Sequence, residues 1–238
     1  MAKEYMERIE ALRRQYLATR VDMDVYNAKY VTEGFKDTEG QPWIIQKATG
    51  YKYECERKQI YIQDHELLVG GVGFKHRCGI LNPDSASGVI EKEVDTISNR
   101  PFDPFFLSDE GKQVYLNDVK DYWKNKCVLD RWNLMLPEDV KRLRANGAIF
   151  IDRKAVRGYG ETTVDWRMIV NKGIGALKKE AEEALAKLDD AVPGDLEKSF
   201  FYRSEIMVAD AIIHLSHRHA DLAEKMAAEC TDEARKAE

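Results

Sequence analysis

Val170-Asn-Lys-Gly-Ile-Gly-Ala-Leu-Lys-Lys-Glu-Ala-Glu-Glu-Ala-Leu-Ala-Lys-Leu188 decides the fold class. Val170, Ile174, Leu177, Ala181, Ala184 and Leu188 step by 4, 3, 4, 3 and 4, which draws one apolar seam along a helix. Glu183 and Lys187 support it from the wet side as an i,i+4 pair. The spacing predicts a helix over 165–188. Asp189 to Asp195, with Pro193-Gly194, reads as a turn. A second helix is expected from about Leu196 to the end, with Phe201, Val208, Ile212, Leu215, Leu222 and Met226 on its seam. So short a connection predicts an antiparallel helical hairpin. The second helix is still in register at Glu238, with no Gly or Pro stop, and the expectation is a cut inside a longer chain.

Working outward, more helices appear. Residues 2–18 carry Tyr5, Ile9, Leu12 and Tyr16 at helical spacing. Pro42 opens a helix whose stripe is Ile44, Ala48, Tyr51 and Cys55, since its missing N–H costs nothing in the first turn. Arg100-Pro101 and Asp103-Pro104 force extended backbone. Ser108 then caps a helix bearing Tyr115, Val119 and Tyr122, with Asp109 and Glu110 favourably placed in its first turn. Pro137 starts a short helix that Gly147 ends. Residues 59–63 and 66–72 are the strand candidates, rich in β-branched, aromatic and apolar residues. The fold class expected is mainly α with a short β element at 59–72.

The totals exclude several classes. At 238 residues, 44% hydrophobic and 33% charged, the chain can bury a core. The net charge of -5, with no Lys/Arg cluster, argues against nucleic acid. No apolar run approaches the roughly 18 residues of a membrane span, and no signal-peptide h-region follows Met1. Cys55, Cys78, Cys127 and Cys230 form no Cys-x-x-Cys pair, against a zinc site and a disulfide framework. A reduced, cytoplasmic setting is expected. Of His214, His217 and His219, only the first two are neighbours on a helical face, and surface histidines are the expectation. Gly70-Gly71-x-Gly73 lacks the order of a phosphate loop. His65-Glu66 lacks the second histidine of a zinc protease motif.

Four stretches carry a resemblance. They are Val31-Thr-Glu-Gly-Phe35, Asp64-His-Glu-Leu-Leu-Val-Gly70, Glu93-Val-Asp-Thr-Ile-Ser-Asn-Arg-Pro101 and Asp121-Tyr-Trp-Lys124. In order and spacing they resemble the front of the glycyl radical enzymes, the pyruvate formate-lyase-like group. The resemblance covers nearly the whole chain, with the lyase branch (choline trimethylamine-lyase, glycerol dehydratase) nearest in motif. It implies that residues 1–238 are the N-terminal portion of an incomplete pyruvate formate-lyase-like domain. The full fold would be a ten-stranded α/β barrel, with this portion as helical outer layer.

The implied chemistry is radical cleavage of a C–O, C–N, C–S or C–C bond of a small polar substrate. In such enzymes a glycyl radical near the C-terminus passes to a cysteine, whose thiyl takes a hydrogen atom from the substrate. The implied partners are a radical SAM activating enzyme and a second copy in a homodimer. The cysteine usually lies in Gly-Cys-x-Glu, and none of the four here does. The glycine usually lies in Arg-Val-x-Gly-aromatic, and Val156-Arg157-Gly158-Tyr159 has the wrong order. No catalytic residue, bound cofactor or metal is therefore expected in this chain itself. Formate C-acetyltransferase-type acyl transfer is the alternative within enzymes; a non-catalytic structural or interaction fragment is the alternative outside them.

The resemblance does reach three substrate-binding positions. Phe201-Tyr202 followed by Asp210 matches a Tyr/Asp pairing of the family. Eight residues turn about 80° beyond two full helical turns, so both can lean towards one cavity. The competing reading makes Tyr202 core and Asp210 an exposed or capping charge. An acid among Val208, Ala209, Ala211 and Ile212 would be costly to bury without a partner. Where several dehydratases have Gly-His before the 165–188 helix, this chain has Gly160-Glu161. An ionised carboxylate accepts hydrogen bonds but cannot donate them. Glu161 thus fits a donor-rich or cationic substrate, or is a solvated loop residue.

Overall fold

The computed structural model describes residues 2–150, 163–189 and 191–238, the side chains of 2–4 and 89 apart. The chain begins with α1 (Ala2–Ala18), then β1 (Asp22–Asp24), α2 (Tyr26–Asp37) and α3 (Trp43–Arg57). β1 pairs in parallel with β2 (Cys78–Ile80), with Met23 opposite Gly79. Phe106 joins the other edge, where the Met23 N–H donates to its carbonyl at 2.9 Å. α1 forms as its periodicity predicts, but Tyr5, Ile9 and Tyr16 are about half exposed, so its stripe is only partly covered.

α2 and α3 cross where two glycines meet. A Cβ on Gly34 would lie 2.7 Å from the Gly50 Cα and 2.9 Å from the Thr49 carbonyl carbon. The helices approach this closely because neither carries a side chain at the crossing.

The core gathers α2 against a long interrupted helix. Ser108 caps α5 (Asp109–Val114), its hydroxyl accepting from the Gly111 N–H at 3.0 Å. α5 runs through a π turn at Tyr115–Val119 into α6 (Lys120–Trp123), after the short α4 (Pro83–Ala86) earlier in the chain. Tyr115, Val119 and Trp123 are fully buried with Val25, Ala28, Phe35, Ile97 and Leu107. The Trp123 indole N–H donates to Thr32 Oγ1 at 2.8 Å, and its ring meets Phe35 edge-on at 4.8 Å. Two motifs 91 residues apart, Val31–Phe35 and Asp121–Lys124, thus interlock. Within Glu93–Pro101, Arg100 pairs with Glu93 at 3.0 Å, and Ser98 Oγ accepts from the Leu107 N–H at 3.1 Å.

α7 (Val128–Met135) and α8 (Glu138–Ala145) follow, and Gly147 (φ 70°) closes α8. Asp165 caps α9 (Trp166–Lys172), accepting from the Met168 N–H at 3.0 Å. α10 (Ile174–Leu185) pairs with the 35-residue α11 (Asp195–Glu229) as the predicted hairpin. The other flank of α11 packs on α3. There Arg218 donates to the carbonyls of Cys55 (2.6 Å) and Lys58 (2.7 Å), meeting the unpaired end of that helix.

Three expectations are corrected. Residues 59–72 form no strand. No neighbouring strand offers a ladder there, and side chains take the carbonyls instead: Arg235 those of Gln63 and Glu66, Lys58 that of Gly71. The described β element is 22–24 with 78–80. The 165–188 helix is two, because Gly173 (φ 81°, ψ 157°) takes a conformation that is essentially glycine-only. The last helix stops at Glu229, and Asp232 caps a separate α12 (Glu233–Ala237) through the N–H groups of Ala234 and Arg235.

Candidate substrate site

Tyr202 and Asp210 lie on the first half of α11. Two further turns of helix separate them by about 12 Å along the axis. Tyr202 is partly buried, and its ring meets Phe201 edge-on at 5.5 Å. Phe201 itself is 52% exposed, so the seam expected to bury it is open at this point.

Asp210 is exposed. The buried neighbours are Ala209 and Ala211; the carboxylate itself points at α10. Its Oδ1 meets Lys178 Nζ at 2.7 Å, and Lys178 lies 3.6 Å from Glu182. The hydrogen bond to Asp210 pushes the Lys178 ammonium up from its ordinary range, with desolvation opposing. Lys178 was not singled out from the sequence. It lies 32 positions from Asp210, and only the hairpin brings them together. Glu161 lies outside the described residues. Two clefts, of about 690 and 640 Å³, are lined by other residues, between 87 and 145. Neither Tyr202 nor Asp210 lines either of them.

Two of the four cysteines serve packing. Cys55 and Cys127 are buried, and burial pushes both thiols up. Cys78 is pushed up to about 12 by burial and by Asp24 and Asp22. Low-pKa activation is the reverse of this. None of the four stands in Gly-Cys-x-Glu. Among the described residues no cluster of three or more His, Cys, Asp or Glu could hold a metal, and no helix is long and apolar enough to cross a membrane.

A helical hairpin laid on a mixed helical layer is an arrangement this chain shares with solved glycyl radical enzymes. The B12-independent glycerol dehydratase of Clostridium butyricum, solved with glycerol bound, superposes with a TM-score of 0.89 at 31% identity. That match covers 97% of this chain and 29% of the dehydratase. A glycyl radical enzyme of Archaeoglobus fulgidus matches with a TM-score of 0.87 at 26% identity, again over 97% and 29%. The isethionate sulfite-lyase of Nitratidesulfovibrio vulgaris is 33% identical over 98% of this chain and 29% of its own length. The trans-4-hydroxy-L-proline dehydratase of Clostridioides difficile is 29% identical over 99% and 30%. The pyruvate formate lyase-like family model matches residues 3–238, and the chain belongs to that family. It spans under a third of the length of these relatives.

Proposed function

We propose that this chain is the front portion, an incomplete domain, of a glycyl radical lyase or dehydratase. It would build one wall of the site in which a C–O, C–S, C–N or C–C bond of a small polar substrate is cleaved. The observation that carries this is the end-to-end likeness to lyases and dehydratases of this family over less than a third of their length. The glycyl radical would reside in the remaining part of the parent protein and supply hydrogen-atom abstraction. A radical SAM activating enzyme, a homodimeric assembly and a cytoplasmic, anaerobic setting complete the reading.

The residues of this chain bind and orient. Tyr202 can donate a hydrogen bond to a substrate oxygen, and Asp210 can only accept one while ionised. Lys178 holds the Asp210 carboxylate in place across the hairpin. Glu161, on the sequence before α9, would add a second acceptor. The relatives span sulfite elimination and dehydration, and a tyrosine donor with a carboxylate acceptor suits either leaving group.

The intact mass of the native gene product tests the reading. A mass several times 27.4 kDa is expected. A native product near 27.4 kDa would sink it and favour a non-catalytic role. In the longer protein, Tyr202→Phe and Asp210→Asn should each lower kcat/KM by about tenfold or more, the loss expected for one hydrogen bond to a charged or reacting group.

A further inference from the structure

A polar cleft of about 640 Å³ separates the turns at 87–100 from α6 and α7. Nothing in the substrate-site reading uses it. The π turn at Tyr115–Val119 places Lys120, Trp123 and Lys124 on its wall. Such turns recur where a helix must aim side chains at a function.

Two residues that line the cleft, Ser87 and Arg100, each carry a buried donor without a partner among the described residues. Ser87 is 2% exposed, and its Oγ has no hydrogen-bond partner among the described residues. Its carbonyl is already taken by the Tyr115 hydroxyl at 2.8 Å. Arg100 spends Nη1 on Glu93 (3.0 Å) and Nη2 on the Asp103 carbonyl (2.9 Å), while its buried Nε is unpartnered. An Arg N–H can only donate, so it needs an acceptor. A buried donor left unsatisfied costs free energy that an incoming acceptor recovers.

The charge balance points the same way. Glu93 is held by Arg100 and Glu91 by Lys120 at 3.0 Å. Asp130 accepts from the Asn125 N–H at 2.9 Å. Lys124 lines the same cleft, is exposed and has no partner among the described residues. Among the described residues neither Asp121 nor Asp130 of the lining has an ion pair, and Lys92 and Arg144 join Lys124 as cations of the same lining.

We propose that this cleft binds a small oxyanion, the carboxylate, sulfonate or phosphate group of a small molecule. Lys124 supplies the charge, and Ser87 Oγ and Arg100 Nε the directional donors. Isothermal titration of the 238-residue chain with acetate, methanesulfonate and inorganic phosphate, in separate arms at constant ionic strength, tests this and separates the sources. Saturable binding is expected for at least one. Lys124→Met should weaken it about tenfold, roughly what one charge-assisted contact contributes. Ser87→Ala should weaken it a few-fold, while Lys178→Met, on the other site, should leave it unchanged. Circular dichroism checks each fold, and because Lys124 is exposed its variant decides should Ser87→Ala unfold. No saturable binding in any arm, or binding untouched by Lys124→Met, overturns the proposal.

Discussion

Trp123 is the residue on which the core turns. Its ring contacts Phe35 and Tyr122 edge-on, and its indole N–H reaches a threonine 91 positions away. Thr32 in turn donates to the Ala28 carbonyl at 2.6 Å, so the indole completes a buried chain of donors and acceptors. Trp123→Phe keeps an aromatic ring but removes that donor; urea denaturation should read a loss of about 1–3 kcal/mol. Glu238 gives a second prediction at this scale. Hydrogen bonds from Arg8 and Arg235 hold its carboxyl down at about 2, against an ordinary 4.5. A depressed carboxyl contributes stability above its unfolded value and loses it as pH falls through the folded one. The tie between α1 and α12 should therefore be intact above about pH 4.5 and released towards pH 2. NMR titration of Glu238 should show the low midpoint, and Arg8→Met should move it back towards 4.5. A midpoint unmoved by that change would sink the assignment.

Elements meet here through small residues and defined breaks. The α2–α3 crossing tolerates no Cβ at Gly34, because the obstacle is backbone and not a side chain that can swing away. Gly34→Ala should cost about 1–3 kcal/mol or more, read as a fall in Tm with no change in the cooperativity of melting. The seam of Val170 to Leu188 predicted the helical content correctly and the continuity wrongly. Periodicity reports which face is apolar and is blind to one glycine taking positive φ. The strand expectation at 59–72 failed for a related reason. Apolar, β-branched character measures fit to a sheet surface, and a strand also needs a neighbour to pair with. Asp22-Met-Asp24 found that neighbour in Cys78-Gly-Ile80 despite two acidic residues, since Arg20 and Lys75 hold Asp22 and backbone N–H groups hold Asp24.

At the scale of the molecule, much apolar surface is left uncovered. Leu68, Phe102, Met135 and Phe150 are each more than four-fifths exposed, and Trp166 and Val170 more than three-fifths. Large apolar side chains left this open to water favour association. The 238-residue chain alone should self-associate, so its sedimentation coefficient should rise with concentration; a strictly monomeric species across the range would contradict that. The site follows the same division. Tyr202 and Asp210 were singled out through a family pattern at helical spacing, whereas the Lys178 partner of Asp210 was not, because nothing local ties position 178 to 210. Sequence by itself determined the helical class, the cap at Ser108, the hairpin and the family, since propensity, capping and apolar period are local properties. The tertiary structure alone decided the Thr32–Trp123 bond, the Gly34–Gly50 crossing, the true strand pair and the Lys178–Asp210 contact. Each joins residues far apart in the chain, and such pairs are fixed by packing whole elements against one another.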